Sequence, residues 1–321
     1  MLQWFFVAIS GSQMGIGKVS KKQRNSVNGW LIINKPVGIG STKVVSIIKR
    51  FYNAKKVGHA GTLDPLAQGV LPIALGEATK TINFSMDAEK EYRFTVKWGE
   101  ATSTDDAEGE VVATSEKTPT EKEIKDILDR FKGKIEQTPP AYSAIKIDGK
   151  RAYDLARAGE NVVIKSRKVT IFDIKLLESS FSAGERFSIF QVTCSKGTYV
   201  RSLARDMAEK LGTKGHVIEL IRTKVGNFCI EDAILLDVFD NKVYKDGDLE
   251  LLLAVDEVLD DIPVLHINSD DERAIRQGKK ISLVGSDLKN NLMVALKSDD
   301  LLVALGVFEE GFVKPSRVFN L

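Results

Sequence analysis

Cysteine and histidine are scarce in this chain, which has two cysteines and three histidines among 321 residues. Cys194 and Cys229 are too few for a disulfide framework or a cysteine-rich zinc site. The three histidines are scattered along the sequence, so we predict no metal site. So few cysteines are typical of a protein from a reducing compartment, which favours the cytoplasm.

Long apolar runs are also missing from the sequence. Met1–Ile9 is apolar, but it is too short to span a bilayer and lacks the basic segment that begins a signal peptide. A polar stretch rich in glycine, serine and lysine follows. We therefore predict that residues 1–27 form a disordered extension, with Met14 as an alternative start, and that no segment crosses a membrane.

Neither sign of charge is in excess, because 46 lysines and arginines face 44 acids and the net charge is +2. The distribution along the chain is nevertheless uneven. Basic residues crowd the segment 18–56, whereas acids dominate residues 237–261. A basic region of this kind suits an anionic partner such as a nucleic acid. Any single cluster is better explained as a solvated helix face.

The predicted strands and helices interleave without the regular alternation of a doubly wound fold. This order favours an α+β fold around a mainly antiparallel sheet. Strand patterns occur at Trp30–Asn34, Val70–Leu75, Glu91–Trp98, Glu110–Thr114, Arg167–Leu177 and Phe187–Cys194. Helices are predicted after a cap at Ser41 or Thr42, at Thr79–Met86, at Glu121–Phe131 after Thr120, at Lys150–Ala158, and at Tyr199–Leu211 before Gly212.

The length of the chain allows one large domain with a smaller second one. We place the boundary within Asp237–Pro263, so that the predicted domains are residues 28–245 and 246–321. Beyond the boundary, short strands alternate with turns, as in a small β-barrel. The strands predicted there are Lys280–Val284, Leu292–Lys297, Leu301–Phe308 and Val313–Arg317.

The stretch Val57-Gly-His-Ala-Gly-Thr-Leu-Asp-Pro-Leu-Ala-Gln-Gly-Val-Leu71 is the most informative part of the chain. It sets one acid, Asp64, between a glycine-rich turn and Pro65, with His59 shortly upstream. Glycine allows tight turns and proline fixes φ, so such a loop can hold a carboxylate at a defined angle in a cleft. An isolated Leu-Asp-Pro, by contrast, is usually an ordinary turn.

This string closely resembles the catalytic loop of the tRNA pseudouridine synthase B family, in which the aspartate is the catalytic residue. Three further blocks resemble motifs of the same family and occur in its order: Asn34–Gly38, Gly76–Lys80 with Glu91–Arg93, and Ser195–Arg201. The resemblance implies the pseudouridine synthase fold, with a central mixed, mainly antiparallel sheet flanked by helices. It also implies a small C-terminal PUA-like β-barrel that binds RNA.

The resemblance implies that the protein isomerises uridine to pseudouridine. The N-glycosidic bond breaks, the freed uracil rotates, and C5 bonds to the same ribose carbon, so no cofactor is implied. Asp64 would act as a nucleophile or as a base at the sugar, and both routes need an ionised carboxylate. Arg201 would pair with Asp64 and favour its charged form. Without the motif, Arg201 is better explained as a phosphate contact or a surface ion pair.

The same resemblance assigns roles to other residues. Tyr92 would stack on the target base and is a candidate for the proton step at C5, although most strand tyrosines serve packing. His59 would organise the RNA loop around the extruded base. Lys80 would contact phosphate, or it would simply lie at the end of a helix. Leu220 would pack in the substrate pocket, or it would be an ordinary core residue. Besides His59, the predicted substrate contacts are Lys35, Lys80, Tyr199 and Leu220.

A uridine inside folded RNA must be extruded before a buried carboxylate can reach it, which costs roughly a few kcal/mol of stacking. Contacts to the phosphate backbone must offset that cost. The family has a mobile insertion that clasps its RNA, and it corresponds here to residues 137–170. Pro139, Pro140 and Gly149 fit a hinged element. The basic residues of this insertion are Lys146, Lys150, Arg151, Arg157, Lys165, Arg167 and Lys168.

The sequence therefore predicts a cytoplasmic tRNA pseudouridine synthase that acts on the uridine at position 55 in the T arm, without an obligatory protein partner. Three alternatives stay open. A relative that modifies another RNA would share the central loop, and one that works with a guide RNA would normally need protein partners. An RNA chaperone would not need an intact Asp64, Tyr92 and Arg201. A glycosidase would want two carboxylates flanking the bond, and the motif offers one.

Overall fold

The computed structural model describes residues 23–143, 145–147, 149–158, 163–181, 186–240, 248–283 and 288–321. The described strands are β1 Gly29–Lys35, β2 Val57–His59, β3 Gln68–Leu75, β4 Lys90–Trp98, β5 Glu100–Thr102, β6 Val111–Thr114, β7 Gly133–Gln137, β8 Lys146–Ile147, β9 Lys150–Arg151, β10 Arg167–Ser180, β11 Phe187–Cys194, β12 Gly215–Val225, β13 Phe228–Cys229, β14 Ile234–Leu235, β15 Val264–His266, β16 Ile281–Ser282, β17 Leu292–Ser298, β18 Leu301–Glu309 and β19 Phe312–Val318. The described helices are α1 Ser41–Phe51, α2 Ile82–Asp87, α3 Glu121–Leu128, α4 Ala152–Arg157, α5 Val200–Lys210, α6 Asp237–Asp240 and α7 Ser269–Arg276.

Ten of these strands form one large sheet in the order β14-β1-β3-β12-β4-β11-β10-β7, with β2 beside β3 and β13 beside β12. The pairs β1–β14 and β12–β3 are parallel, and the remaining pairs are antiparallel. The sheet is therefore mixed and mainly antiparallel. The predicted α+β fold class is confirmed.

Both faces of the large sheet are buried, and β1 shows this at successive residues. Leu31 and Ile33 belong to the main core, which also contains the apolar sides of α1, α3 and α5. Trp30 faces the other way and packs with residues from the C-terminal part of the chain. Because side chains alternate across a strand, a strand covered on both faces carries an uninterrupted apolar run. That explains why β1 is apolar from Trp30 to Ile33.

Two predicted helix caps have different outcomes. Thr120 is confirmed, because its side chain accepts a hydrogen bond from the backbone of Glu123 and forms a capping box with it. The cap at Ser41 or Thr42 is wrong, because α1 begins after Gly40 and no side chain caps it. Ser41 is instead a buried residue of the first turn, and its hydroxyl bonds to the loop that carries Asp64.

The second sheet has the order β15-β17-β18-β19-β16 and lies in the C-terminal part of the chain. The sequence predicted most of these strands but missed α7. The available signal was Asn268, whose side chain caps the helix, followed by three acids in the first turn. The predicted strands are otherwise confirmed with shifted ends, since Lys280–Val284 is reduced to Ile281–Ser282 in the described residues.

The two sheets pack together through a shared apolar cluster. Leu302 and Leu305 of the second sheet, and Phe319 just after it, belong to the same cluster as Trp30 of the large sheet. Val255 and Leu259 also belong to this cluster. Leu253 exchanges backbone hydrogen bonds with Trp30 at 2.8 and 2.9 Å. The predicted boundary after residue 245 falls outside the described residues.

The predicted N-terminal extension is too long at its C-terminal end. The backbone N–H of Asn25 donates to the carbonyl of Asn53 at 2.8 Å, and Val27 is buried in the main core. Residues 23–27 therefore belong to the fold, because Val27 contributes an apolar side chain to it. The rest of the predicted extension, residues 1–22 with Met14, lies outside the described residues. Within the described part of the chain, no helix is both long enough and apolar enough to cross a membrane.

Candidate active site

The loop that carries Asp64 runs between β2 and β3 and is held by Lys35. The Nζ atom of Lys35 donates to the carbonyl oxygens of Pro36 and Ile39, each at 2.8 Å, and of Pro65 at 3.4 Å. Burial lowers the pKa of Lys35 to about 8, although the nearby carboxylate of Asp64 opposes the shift. Lys35 was predicted to contact the substrate. The structure gives it a different task, because its side chain is fully buried and its ammonium group is enclosed by the loop.

Ser41 and Gly38 anchor the residues on either side of Asp64. The Ser41 hydroxyl donates to the carbonyl of Leu63 at 2.9 Å and accepts from its N–H at 2.8 Å. The N–H of Gly38 donates to the carbonyl of Pro65 at 2.8 Å. The backbone is therefore fixed immediately before and after Asp64, which defines the direction of its carboxylate.

Arg201, in the first turn of α5, contacts this carboxylate. Its Nη2 lies 2.7 Å from Oδ2 of Asp64, and its Nη1 lies 3.2 Å from Oδ2 of Asp106. The guanidinium also donates to the carbonyls of Thr104 and Tyr142, at 2.9 and 3.0 Å. Two carboxylates and two carbonyls thus fix one guanidinium, as its planar fork allows. The predicted pairing of Arg201 with Asp64 is confirmed.

Asp106 is a member of the site that the sequence analysis missed. Its side chain is only 2% exposed, whereas that of Asp64 is 36% exposed, so Asp64 is the end of the network that a substrate can reach. Oδ1 of Asp106 accepts from Thr104 Oγ1 at 2.5 Å and from the N–H of Glu108 at 3.0 Å. Acids are common in surface turns, so a polar loop gives no local sign of a buried carboxylate.

Two cavities meet at Asp64 and Arg201, and Thr62 and Leu63 line both of them. The first, called here the tyrosine cavity, has a volume of about 500 Å³. The second, called the histidine cavity, has a volume of about 1100 Å³. Volumes of several hundred Å³ are typical of small-molecule sites. The tyrosine cavity is lined by Tyr92, Tyr199, Leu220 and Arg222, and the histidine cavity by His59, Ser103, Glu108 and Tyr142.

Tyr92, on β4, lines the tyrosine cavity together with Asp64. Burial raises the pKa of its hydroxyl, and the charge of Arg222 opposes the rise. Arg222 lies directly opposite Tyr92 in the pairing of β12 with β4 and is almost fully buried. The sequence analysis did not identify Arg222. An arginine within a buried strand pattern was the signal that could have found it, since arginine is rarely buried without a task.

His59, on β2, lines the histidine cavity. Its Nδ1 atom is buried and has no hydrogen-bond partner within the part of the chain that the structure describes. Burial lowers the pKa of His59, and the charge of Arg222 lowers it further, so the imidazole is neutral at neutral pH. A neutral ring suits stacking or a hydrogen bond to a base better than attraction to a phosphate. The expected role in organising the RNA loop stays a prediction.

Of the basic residues in the insertion 137–170, Arg167 lines a cavity of the site and Lys150 is exposed. The guanidinium of Arg167 lies 4.8 Å from the centre of the Tyr199 ring and donates to the carbonyl of Gly197. Arg167 and Tyr199 both line the tyrosine cavity. Lys150 is exposed on β9. The backbones of Lys146 and Arg151 belong to β8 and β9, and their side chains lie outside the described residues.

Of two further predicted substrate contacts, Leu220 lines a cavity of the site and Lys80 does not. Leu220 is nearly buried and forms part of the wall of the tyrosine cavity, so core packing and pocket lining coincide there. The Nζ atom of Lys80 lies 2.5 Å from Oε2 of Glu77 and donates to the carbonyl of Val318 at 2.7 Å. Lys80 lies outside both cavities and joins a 3-10 turn, Gly76–Lys80, to the last strand. This placement favours a structural task over the predicted substrate contact.

Metal chemistry finds little support among the described side chains. They contain no group of three or more histidine, cysteine, aspartate or glutamate residues placed to hold a metal ion. Cys194 is buried and Cys229 is half-buried, and both are free thiols.

Two family models match the chain. The model described as "TruB family pseudouridylate synthase (N terminal domain)" matches residues 49–200. The model described as "tRNA pseudouridylate synthase B C-terminal domain" matches residues 201–262. The first match contains Asp64, Tyr92 and Asp106, and the second begins at Arg201 and contains Arg222.

Similar proteins extend these matches over nearly the whole chain. A protein from Caulobacter vibrioides named tRNA pseudouridine synthase B is 45% identical and covers 94% of this chain and 99% of its own length. One of the same name from Bradyrhizobium diazoefficiens is 48% identical and covers 95% of this chain and 89% of its own. Among solved structures, the archaeal box H/ACA sRNP Nop10-Cbf5 complex contains a chain that is 26% identical, with a TM-score of 0.67, covering 91% of this chain and 86% of that one. An H/ACA RNP bound to a substrate RNA containing 2′-deoxyuridine is similar in fold, with a TM-score of 0.67 at 24% identity, covering 91% of this chain and 85% of that one.

Proposed function

The chain belongs to the TruB family of pseudouridine synthases and isomerises uridine in tRNA to pseudouridine; we propose that its target is the uridine at position 55 in the T arm. The observation that carries this proposal is the contact of Asp64 with Arg201, 2.7 Å apart where the two cavities meet. An exposed carboxylate on a fixed loop, backed by a buried guanidinium, matches the needs of chemistry at the anomeric carbon of a nucleoside.

Asp64 supplies the carboxylate of the first chemical step. As a nucleophile it would attack the anomeric carbon, and as a base it would remove a ribose proton; both acts need its ionised form. Arg201 favours that form by its positive charge. Asp106 shares the same guanidinium, so Arg201 is held between two carboxylates.

Tyr92 takes part after the glycosidic bond has broken. Once C5 has bonded to the ribose carbon, C5 still carries its original hydrogen and must lose it as a proton. Tyr92 and Asp64 both line the tyrosine cavity, and this cavity is where the detached uracil would turn. Its wall also includes Leu220, an apolar surface against which a planar base can move.

Recognition begins with extrusion of the uridine from its stack, at a cost of roughly a few kcal/mol. His59 is neutral and faces the histidine cavity, so it suits a contact with bases of the opened loop. Arg167 and Lys150 belong to the insertion 137–170 and would neutralise phosphates. The five-stranded sheet of residues 246–321 would act as a PUA-like module that adds phosphate contacts through Lys280 and Lys314, which are exposed.

We further infer that the protein works in the cytoplasm without a cofactor or an obligatory protein partner. The relatives named tRNA pseudouridine synthase B are 45% and 48% identical to it, whereas the chain from the archaeal Nop10-Cbf5 complex is 26% identical. The higher identity favours the tRNA-modifying relatives over the partner-dependent assembly. Isomerisation leaves the composition of the nucleoside unchanged, so it needs no external reactant.

A single assay tests the proposal. The purified chain is incubated with a T-arm stem-loop that carries tritium at C5 of uridine 55, without added cofactor or protein, and tritium released to water is counted. Release is expected to reach one tritium per stem-loop. The Asp64→Asn variant and a stem-loop labelled at another loop uridine serve as controls. Release of free uracil would indicate a glycosidase, and release from the other uridine alone would reject position 55.

A further inference from the structure

Arg222 is a buried cation for which the steps above provide no role. Its side chain is 1% exposed. Its Nε donates to the carbonyl of Val70 at 2.7 Å, and its Nη2 donates to the carbonyl of Gly61 at 3.0 Å. Within the described residues, Arg222 forms no ion pair with a carboxylate. Burial of a charge that only neutral groups contact is costly, so a chain that keeps one has a use for it.

The position of Arg222 connects the two sides of the tyrosine cavity. Gly61 precedes Asp64 in the same loop, so the bond to its carbonyl links Arg222 to the base of that loop. On the other side, Arg222 is the direct cross-strand partner of Tyr92, and both residues line the tyrosine cavity. The same guanidinium therefore binds the loop of the carboxylate and lies on the strand position opposite the tyrosine.

We propose that Arg222 is a positioning residue that holds the hydroxyl of Tyr92 in place and favours its phenolate form, so that Tyr92 can remove the proton from C5. This inference rests on the proposed function, because it concerns the last step of the same reaction. A guanidinium suits the task, since it stays charged and presents several donors in one plane. One side can bind the loop while another faces the phenol oxygen.

The step balances without any further reactant. The Tyr92 hydroxyl first loses its proton to solvent, and the phenolate oxygen then takes the hydrogen of C5 as a proton. The electron pair of the C5–H bond closes the C5–C6 double bond of the uracil. N1, which left the ribose with the electron pair of the glycosidic bond, takes up a proton from solvent, which balances the proton that Tyr92 released, so uridine and pseudouridine have the same composition.

The other titratable groups near Tyr92 are less suited than Arg222 to favour its phenolate form. Cys194 lies close to Tyr92, but burial raises the pKa of its thiol to about 11, so it is neutral at neutral pH. The carboxylate of Asp64 opposes formation of a phenolate, and its charge is offset by Arg201. Lys90, Arg167 and Lys196 line the same cavity. Of these cations, Lys90 donates to three backbone carbonyls and Lys196 pairs with Asp87, so both are directed elsewhere.

The test compares Arg222→Gln and Arg222→Lys with the wild type in single-turnover assays on a T-arm stem-loop. Uridine 55 carries either hydrogen or deuterium at C5, and rates are measured across a range of pH. Loss of the charge in Arg222→Gln raises the pKa of Tyr92, so the rate at neutral pH falls about tenfold for each unit of that rise. The rate should recover as the pH increases, and a deuterium isotope effect should appear because removal of the C5 proton becomes limiting.

Arg93→Gln is the matched control, since Arg93 is an exposed arginine next to Tyr92 in the same strand. It should retain the wild-type rate and pH profile. If Arg222→Gln fails to fold by circular dichroism, Arg222→Met, which also removes the charge, takes its place. In whichever variant folds, replacement of Tyr92 by 3-fluorotyrosine, a more acidic phenol, should restore part of the rate at neutral pH.

Two results would overturn the proposal. One is an equal loss of rate at every pH without an isotope effect, which would make Arg222 a support of the Asp64 loop alone. The other is a fluorotyrosine variant that stays as slow as its parent. Both differ from failure of the proposed function, in which the wild type itself would leave uridine 55 unchanged.

Discussion

Asp106 lies behind Arg201, with its Oδ2 atom 3.2 Å from Nη1 of the guanidinium. The arginine that contacts Asp64 is thereby held from its far side by a second carboxylate. Without that contact, only Asp64 and the carbonyls of Thr104 and Tyr142 would hold the guanidinium. The second carboxylate therefore defines where the charge of Arg201 lies relative to the reacting atoms.

Asp64→Asn should remove the activity while leaving RNA binding nearly unchanged. Asparagine keeps the shape of the side chain and loses its charge, so the comparison isolates the chemistry. We expect a loss of at least about 10⁴-fold, or roughly 5 kcal/mol of barrier. Single-turnover rates and filter binding of a T-arm stem-loop measure the two quantities. A variant that keeps a tenth of the rate would show that Asp64 is not the catalytic residue.

Asp106→Asn should lower kcat by about 10- to 100-fold with little change in KM, because a guanidinium displaced by about 1 Å no longer orients Asp64. The matched control is Asp105→Asn. Asp105 is the neighbouring residue and pairs with Arg205 at 2.7 Å, so its loss perturbs the same loop without removing the contact behind Arg201. Equal losses of kcat in the two variants would mean that Asp106 acts only through the folding of the loop.

Arg201→Lys should be nearly as damaging as Arg201→Ala. The guanidinium contacts Asp64, Asp106 and two carbonyls at once, and an ammonium group cannot reproduce that planar arrangement. Rates of both variants at saturating stem-loop provide the measurement. A lysine variant close to the wild-type rate would reduce Arg201 to a general source of positive charge.

Lys90 should make the stability of the protein depend on pH above neutrality. Burial lowers its pKa from 10.5 to about 8, so between these values the unfolded chain binds more protons than the folded chain. The contribution of Lys90 to the free energy of unfolding therefore rises with pH across this window, by at most about 1.4 kcal/mol per pH unit. Below pH 8 both states are protonated and the contribution is constant.

Urea unfolding of the wild type and of Lys90→Met at pH 7, 9 and 10 tests this linkage. As the pH rises, the free energy of unfolding of the wild type should increase relative to that of Lys90→Met. Lys35 also has a lowered pKa, but it is present in both proteins and its contribution cancels. A difference that is independent of pH would contradict the lowered pKa of Lys90.

Lys280→Gln with Lys314→Gln should weaken binding of full-length tRNA without changing the maximal rate on a minimal stem-loop. Both lysines are exposed in the second sheet, where phosphate contacts add affinity but no chemistry. The slope of log affinity against log salt should fall by about 1 for each phosphate that the protein no longer neutralises. The control is Lys122→Gln with Lys210→Gln, which removes the same charge from exposed positions on α3 and α5. A changed maximal rate would connect the second sheet to catalysis.

Deleting the second sheet is a poorer test of whether it contributes to binding and not to catalysis. Trp30 of the large sheet shares a buried cluster with Leu302, Leu305 and Phe319, so removal of the second sheet exposes part of the core. Substitution at the surface leaves this packing intact.

The pairing of Asp64 with Arg201 was implied only by the resemblance to the family's motifs, because the two residues lie far apart in the chain. The sequence by itself determined the α+β class and the Asp64 loop. These features depend on residue types at short spacing, such as glycines around an acid, or on alternating apolar positions within one strand. The cap at Thr120 and the strand Phe187–Cys194 follow from similarly local patterns.

Only the tertiary structure decided the roles of Asp106, Arg222 and Lys35. Each depends on contacts between segments far apart in the chain. Strand register sets Arg222 opposite Tyr92, and the packing of a loop against α5 brings Asp106 to Arg201. No local pattern distinguishes a buried aspartate from one in a surface turn, because the free energy that holds it there comes from partners that the chain reaches only after folding.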